Sequence, residues 1–558
     1  MSKYECEVCK ERVYKDNSKC IVHCNKTDFK EEDLNYFETS LSSLLSTSSG
    51  SIEYIHFPKQ YKLEEKNFIN INEFTNCHFY NTIKLLSFEG NYSNCTFYKN
   101  IIINDKINKF VKCNFKSAIT IIKISEDKIF INLFEECNFN KNKHFLFKNI
   151  EFTSENKIEI LFSNLTIINK IYFSNCEFKN DLKLNKLFHL KRLHFNACRF
   201  SSRLEVLNCK NIDEFSLRNS VFKTLSLSDD VAKVKIQFCE IYNANFYNTS
   251  FDELADFYQT KFLNSVNFER TDFNKISVFS ECEFDCNVDF KYAKFLGKSI
   301  FRDTVIKGKL NLRDTIFNDE ANFLDITSHS RWNVKKQKFI GEPLDIKVEN
   351  RETARVIKDC FDKQNNIIEA NRFYKLEMQK RTKELFILHE NDNSLFEKFV
   401  FIFHRLSSNH SQSWALSLFW IIIISLGYTY YFTGNEISDN YLLVKEFQFT
   451  EVFFDSNFSE HKVFYQLFLF ILAWLIFLLL LFDFHISGFL FSITLVSIGI
   501  YIFTTGEYKL LDVVDNINPF SIMTGKVKLT LSLLLYKTFI GYLLYQLIIS
   551  IRQNTRRK

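Results

Sequence analysis

The chain has 558 residues, with 71 basic against 66 acidic side chains and a formal charge of +5. That near balance leaves no basic excess of the kind a nucleic-acid-binding surface needs, so no nucleic-acid partner is expected. Glycine occurs only 12 times, and no phosphate-binding loop, nucleophile elbow or paired His/Asp motif is present, so no enzyme is expected either.

The N-terminus carries two closely spaced ligand pairs. Cys6-Glu7-Val8-Cys9 is followed after ten residues by Cys20-Ile21-Val22-His23-Cys24. Two pairs, each with a two-residue spacer, let two tight knuckles turn sulfur and nitrogen toward one tetrahedral Zn²⁺. The stretch Lys10 to Lys19 is too short and polar to bury a core, so an ordered fold here needs the metal. Cys6, Cys9 and Cys20 are the expected ligands. His23 is the expected fourth because it restores the two-residue knuckle, with Cys24 the alternative. Residues 1–30 therefore read as a small zinc-binding module, which can also cap the next part of the chain. Residues 31–70 read as linker and N-terminal cap, with a Ser-, Thr- and Leu-rich linker from Glu38 to Ser51.

From residue 71 the chain becomes repetitive. Phe74 to Phe79, Tyr92 to Phe97, Phe110 to Phe115, Phe134 to Phe139, Phe173 to Phe178 and Phe195 to Phe200 each span five residues. A cysteine precedes the second aromatic by two places each time: Cys77, Cys95, Cys113, Cys137, Cys176 and Cys198. Between Ala244 and Phe323 the pattern tightens to a period of eleven. Thr249, Thr260, Thr271, Cys282, Ala293, Thr304 and Thr315 share one register, each followed two residues on by Phe or Ile. Ala244, Ala255, Val266, Ser277, Val288, Ser299, Leu310 and Ala321 share a second, each followed by Phe or Leu. An α-helix would scatter such a row round its axis; a fixed period of this kind marks a solenoid, stabilised by neighbour-on-neighbour contacts. Since Cys, Thr, Ala and Ser alternate at one interior register, the position is read as selecting small volume, with its cysteines as buried hydrophobes. Fifteen cysteines so arranged, without a signal peptide, suit a reducing compartment.

The units A-N-F-Y-N, T-S-F-D-E, A-D-F-Y-Q, T-K-F-L-N and V-N-F-E-R resemble those of the pentapeptide-repeat family. The resemblance implies a right-handed quadrilateral β-helix over residues 71–330, with four faces and about 22 residues per coil. Roughly eleven coils at the spacing of neighbouring strands would extend about 50 Å. The sixth residue of alternate units should bulge a corner outward. Family members that mimic the DNA duplex need a strongly acidic rod, which this balanced chain does not supply.

Residues 345–410 read as a helical connector. Val356, Cys360 and Phe361 form one stripe; Ile367, Ala370, Phe373, Tyr374 and Met378 form another beyond the turn-like Asn365-Asn366, which suggests an αα-hairpin. Leu395 to Leu406, aromatic and apolar with Lys398, His404 and Arg405, suits an interfacial helix. Residues 411–552 then read as a four-span transmembrane domain: Trp414–Phe432, Val463–Phe482, Ile486–Phe503 and Leu529–Ile551, each long enough to cross about 30 Å of hydrocarbon. Arg405 before the first span, and Arg552, Arg556, Arg557 and Lys558 after the last, place both termini in the cytoplasm. The segments Asn371-Arg-Phe-Tyr-Lys-Leu-Glu-Met378 and Tyr545-Gln-Leu-Ile-Ile-Ser-Ile-Arg552 resemble those of membrane-anchored bacterial members of the family.

Within the spans, Lys537 is either a functional group or a snorkelling one. Asp483 and His485 mark a surface turn or a polar path, and Asp512–Phe520 a re-entrant segment or a plain loop. Thr504-Thr505-Gly506 lacks the sequence that would make it a potassium filter. The expected function is a scaffold at the bacterial inner membrane, zinc-capped, with the solenoid offered to a protein partner. The alternative is an oligomeric channel or signalling protein with the solenoid as its cytosolic sensor.

Overall fold

The computed structural model describes residues 5–555, apart from 16–17, 64–67, 69, 85–89, 105–106, 123–132, 141, 154–168, 186–189, 208–211, 330–345, 388–394, 434–489, 491, 500–509 and 525–529. It comprises two compact units, one holding residues 1–332 and 344–349, the other 333–343 and 350–558.

The first unit is a parallel β-solenoid. Its longest face is a twelve-stranded sheet with one short strand per coil, running from Ile83–Lys84 to Ala321–Asn322. In the eleven-residue region strands pair with those 22 residues on: Phe262 with Phe284, Val266 with Val288, Phe273 with Phe295, Ser277 with Ser299. Four such pairings per coil make it quadrilateral, as the family resemblance implies. Because the register repeats without slip, like residues stack on like. Phe246, Phe268 and Phe290 stand 4.8 Å apart with planes within 12° of parallel, and Phe279, Phe301 and Phe323 repeat the arrangement on another face. That separation is the strand spacing itself, so each ring meets the ring of the next coil at stacking distance.

The corners are of two kinds. After each five-residue unit the chain closes a β-turn, as from the Phe246 carbonyl to the Thr249 amide (3.2 Å), whose third residue is left-handed. Asn248, Gln259, Arg270, Glu281, Tyr292, Asp303, Asp314 and Asp325 all sit there, at φ between 52° and 59°. After the six-residue units the extra residue turns outward at Glu253, Asn264 and Lys275, which are exposed, whereas Cys286 at the same position is buried. At Gly297 and Gly308 the coils approach so closely that a Cβ would lie 2.6 Å from Lys275 backbone and 2.2 Å from the Cys286 carbonyl, which explains glycine at those two corners.

Two differences from the sequence reading stand out at the N-terminal end. The stretch expected as a linker is the C-terminal part of a helix, α1 (Glu31–Thr47), which buries Phe37 and Leu41. Phe37 lies between Phe29 and Tyr61, with ring centroids at 5.8 and 5.3 Å. Ser and Thr inside α1 tolerate the helix by returning their hydroxyls to it, as Ser42 does to the Glu38 carbonyl at 2.8 Å. The solenoid also begins near Ser51 instead of 71: Ile52 pairs with Phe74 and Phe57 with Phe79.

In the second unit, α2 (Arg351–Lys363) starts at Asn350, whose side chain accepts from the Thr353 amide at 2.8 Å, and α3 (Ile367–Ile387) follows a left-handed Asn365. Phe361 stacks on Phe373 at 5.6 Å and Lys358 pairs with Glu377 at 3.0 Å, closing the αα-hairpin. Then come α4 (Leu395–Ser408), α5 (Trp414–Thr433), α6 (Leu510–Ile517), a 3₁₀ turn (Pro519–Thr524) and α7 (Leu531–Thr555). Among the described residues one helix, Leu531–Gln553, is long and apolar enough to cross a membrane, and the shorter apolar Trp414–Thr429 packs on it. Ile421 meets Tyr536 and Ile540, and Tyr428 stacks on Tyr536 at 3.8 Å. The expected span Val463–Phe482 lies outside the described residues, as do Asp483, His485 and Thr504–Gly506. Of Ile486–Phe503 only 490 and 492–499 are described, as helix.

Candidate metal centre and outer surface

The first knuckle is a small hairpin. Glu5 and Arg12 form an antiparallel bridge, the Cys6 amide donates to the Glu11 carbonyl at 2.7 Å, and Lys10 turns the chain at φ 64°. The second is a single tight turn in which the His23 and Cys24 amides both donate to the Cys20 carbonyl, at 3.1 and 2.9 Å. These turns bring Cys6, Cys9, Cys20 and His23 together, with all four donor atoms within 4.8 Å of one another. Cys20 Sγ lies 3.0 Å from His23 Nδ1 and 3.5 Å from Cys9 Sγ; Cys6 Sγ lies 3.8 Å from His23 Nδ1. Ligands about 2.0–2.3 Å from a tetrahedral Zn²⁺ stand ~3.3–3.8 Å from one another, and the observed separations straddle that range, so these four donors could hold such an ion after small side-chain shifts. Cys24 points elsewhere, its thiol donating to the Ile21 carbonyl at 3.4 Å. Of the two candidates for fourth ligand, the geometry brings in His23 and leaves Cys24 out.

Burial holds His23 below its ordinary pKa, so the imidazole is neutral and Nδ1 offers a lone pair. The same ring hydrogen-bonds the Glu53 backbone. With Nδ1 turned to the sulfurs of Cys6 and Cys20, the ring is held between them and the first strand of the solenoid. Burial pushes the Cys9 and Cys20 thiols up. Burial also raises Cys6, but backbone N–H groups at Cys20, Cys9 and Val8 outweigh it and bring that thiol below its ordinary value. Glu53 lies on the first strand of the solenoid, and the His56 amide donates to the Val22 carbonyl at 3.0 Å. The knuckle is thus tied to the first coil through His23 and Val22.

The interior cysteines do something the small-volume reading missed. Cys95 donates to the Phe74 carbonyl at 3.3 Å, Cys113 to Tyr92 at 3.3 Å and Cys282 to Phe257 at 2.9 Å. Thr249, Thr260, Thr271 and Thr304 donate equivalently to Leu227, Ile236, Phe246 and Phe279, at 2.6–2.9 Å. The register therefore favours a small donor that satisfies a carbonyl of the coil before. The interchange of Thr with Cys was the available signal, since a purely steric site would favour Ala throughout.

Outside, Tyr247 and Tyr292 protrude two coils apart. Both are about two-fifths exposed, and the Arg270 guanidinium lies between them, 5.9 and 6.0 Å from the two rings. Arg270 also donates to the Tyr247 hydroxyl at 3.1 Å. In the second unit, Lys537 is buried instead of snorkelling, and Asp512–Phe520 forms α6 and the start of the 3₁₀ turn against α7.

Residues 246–294 match the family described as pentapeptide repeats (9 copies). The matched repeats lie within the parallel quadrilateral solenoid, so this part of the chain is a pentapeptide-repeat β-helix. No curated protein and no solved structure matches the chain.

Proposed function

We propose that the chain is a membrane-tethered scaffold of the bacterial inner membrane, whose solenoid presents a binding surface for a protein partner in the cytosol. The observation that carries this reading is the Tyr247–Arg270–Tyr292 patch. Tyr and Arg dominate the energetics of protein interfaces, and here they are held rigidly on successive coils. Tethering is supported by Leu531–Gln553 and by α4, whose Phe396, Phe399, Val400 and Leu406 form an uncovered apolar row at helical spacing. A four-span arrangement with both termini cytoplasmic is part of the proposal, and it rests on charge flanking the apolar runs.

A photo-crosslinker placed at Tyr292 in the full-length membrane protein should trap one partner. Arg270→Ala should abolish that adduct, and a probe at Lys309, on a different corner, should not form it. An adduct unaffected by Arg270→Ala would remove the patch from the binding surface. The alternative, a channel gated through the solenoid, predicts a reproducible conductance in reconstituted bilayers.

We further propose that Cys6, Cys9, Cys20 and His23 hold a structural Zn²⁺. The cation would compensate three thiolates crowded into one buried site and lock the knuckle onto the first coil. Metal analysis of the full-length protein should give about one zinc per chain, since one cluster has tetrahedral spacing. Replacing Cys6 and Cys9 should abolish it. Cys24→Ala, and joint replacement of Cys77, Cys95 and Cys113, should leave it intact. Zinc lost with Cys24→Ala but kept with His23→Ala would reverse the assignment of the fourth ligand.

A further inference from the structure

Lys537 sits in the second turn of α7 and is 3% exposed. Among the described residues no carboxylate lies within ion-pair distance of it. Its ammonium instead faces three backbone carbonyls, of Asp515 at 2.8 Å and of Asn516 and Asn518 at 2.9 Å each. All three belong to one short stretch, where α6 stops and the turn beginning at Pro519 starts. The last carbonyls of a helix have no partner within it, and they gather at the negative end of its dipole.

The surroundings fix the nest in place. Asn516 donates from Nδ2 to the buried Thr429 hydroxyl of α5 at 2.8 Å, and the Tyr536 hydroxyl lies 3.0 Å from Ser425 of the same helix. Val513 packs on Leu426, and Ile517 on the cluster of Tyr536 and Ile540. An ammonium has three donors and no acceptor, and here each donor has one carbonyl. Convergent carbonyls at a helix C-terminus are also the arrangement that takes up a small free cation.

We propose that the carbonyls of Asp515, Asn516 and Asn518 form a site for a monovalent cation, and that the Lys537 ammonium is its built-in occupant. The ligand class is a singly charged ion of ammonium size, such as K⁺ or NH₄⁺. With a tethered ion in place, the turn between α6 and α7 is held whatever salt bathes the protein. The simpler role, a hydrogen-bonding cap for α6, would need donors but no charge.

The test uses purified full-length protein in detergent, melted at equal ionic strength in choline chloride, KCl and NH₄Cl. Choline is too large for the nest and offers no N–H group. Lys537→Met should melt below wild type in choline and regain at least half of the lost Tm, saturably, in K⁺ or NH₄⁺. Wild type should melt alike in the three salts. Lys537→Gln, which keeps donors without charge, should need the cation as well. The proposal is overturned if Lys537→Met or Lys537→Gln melts alike in choline and potassium, or if wild type shows the same ion-specific gain. It is overturned equally if no neutral variant can be recovered in any of the salts, because a cation site must accept a free cation.

Discussion

Phe284 and Glu283 are adjacent in sequence and opposite in consequence. Phe284 stacks on Phe262 at 4.8 Å and pairs on its other side with Ile306, so it is aromatic below and aliphatic above. Phe284→Ala should cost about 3–5 kcal/mol through lost burial and the cavity left behind. Glu283 faces outward but lies between Lys307 at 2.7 Å and Lys261 at 3.4 Å. Burial raises its pKa, yet the pairing with Lys307 and Lys261 outweighs this, and the carboxyl sits below its ordinary value. Its stabilising contribution is therefore present above the ordinary glutamate pKa and is lost as pH falls through the lower folded value. Glu283→Gln should flatten that acid-side loss while costing only about 0.2–1 kcal/mol at neutral pH. Melts of the full-length protein across pH check both; equal sensitivity at the two positions would contradict the inward and outward registers. At the donor register, Thr260→Val should cost about 1–3 kcal/mol by stranding the Ile236 carbonyl, and Thr260→Cys should cost less.

At the scale of elements, α1 is the part of the N-terminal region that composition disguised. Its Phe37 is fully buried between Phe29 and Tyr61, and Tyr61 in turn lies 6.0 Å from Phe57 of the first coil. In a stack where each coil touches only its neighbours, damage at one end should stay local. Phe37→Ala should accordingly raise amide hydrogen exchange over 51–57 and leave 277–321 protected as before. Uniform loss of protection along the solenoid would show that its coils unfold as one unit.

For the whole molecule, two kinds of physics divide the chain. The solenoid repeats one small set of contacts, whereas the second unit relies on apolar helices joined by a few buried polar ties, such as Gln546 accepting from Ser408 and Ser411 at 3.0 Å each. If Leu531–Gln553 spans a bilayer, the full-length protein should stay with membranes through alkaline carbonate extraction. Release by carbonate would leave only a surface attachment, for which the apolar row of α4 would suffice.

The solenoid was legible in the residues alone, because a strict period forces identical side chains into vertical register and no other element tolerates that spacing. The grouping of Cys6, Cys9, Cys20 and His23 was legible as well, since two-residue spacers dictate knuckles, and the fold brings their donor atoms within 4.8 Å of one another. The first coil escaped that reading, because Ile52, Ile55 and Phe57 repeat the spacing of Phe74, Cys77 and Phe79 but put aliphatic residues in place of Phe and Cys. Other features emerged only once distant segments met in space. His23 turns toward the sulfurs of Cys6 and Cys20 while its ring also meets the Glu53 backbone on the first strand of the solenoid, and Cys24 turns away to the Ile21 carbonyl. The Thr and Cys register acts through carbonyls of the preceding coil, as Thr260 does on Ile236 and Cys282 on Phe257. Lys537 is held by a turn some twenty residues before it, and such through-space partners leave no mark in local composition.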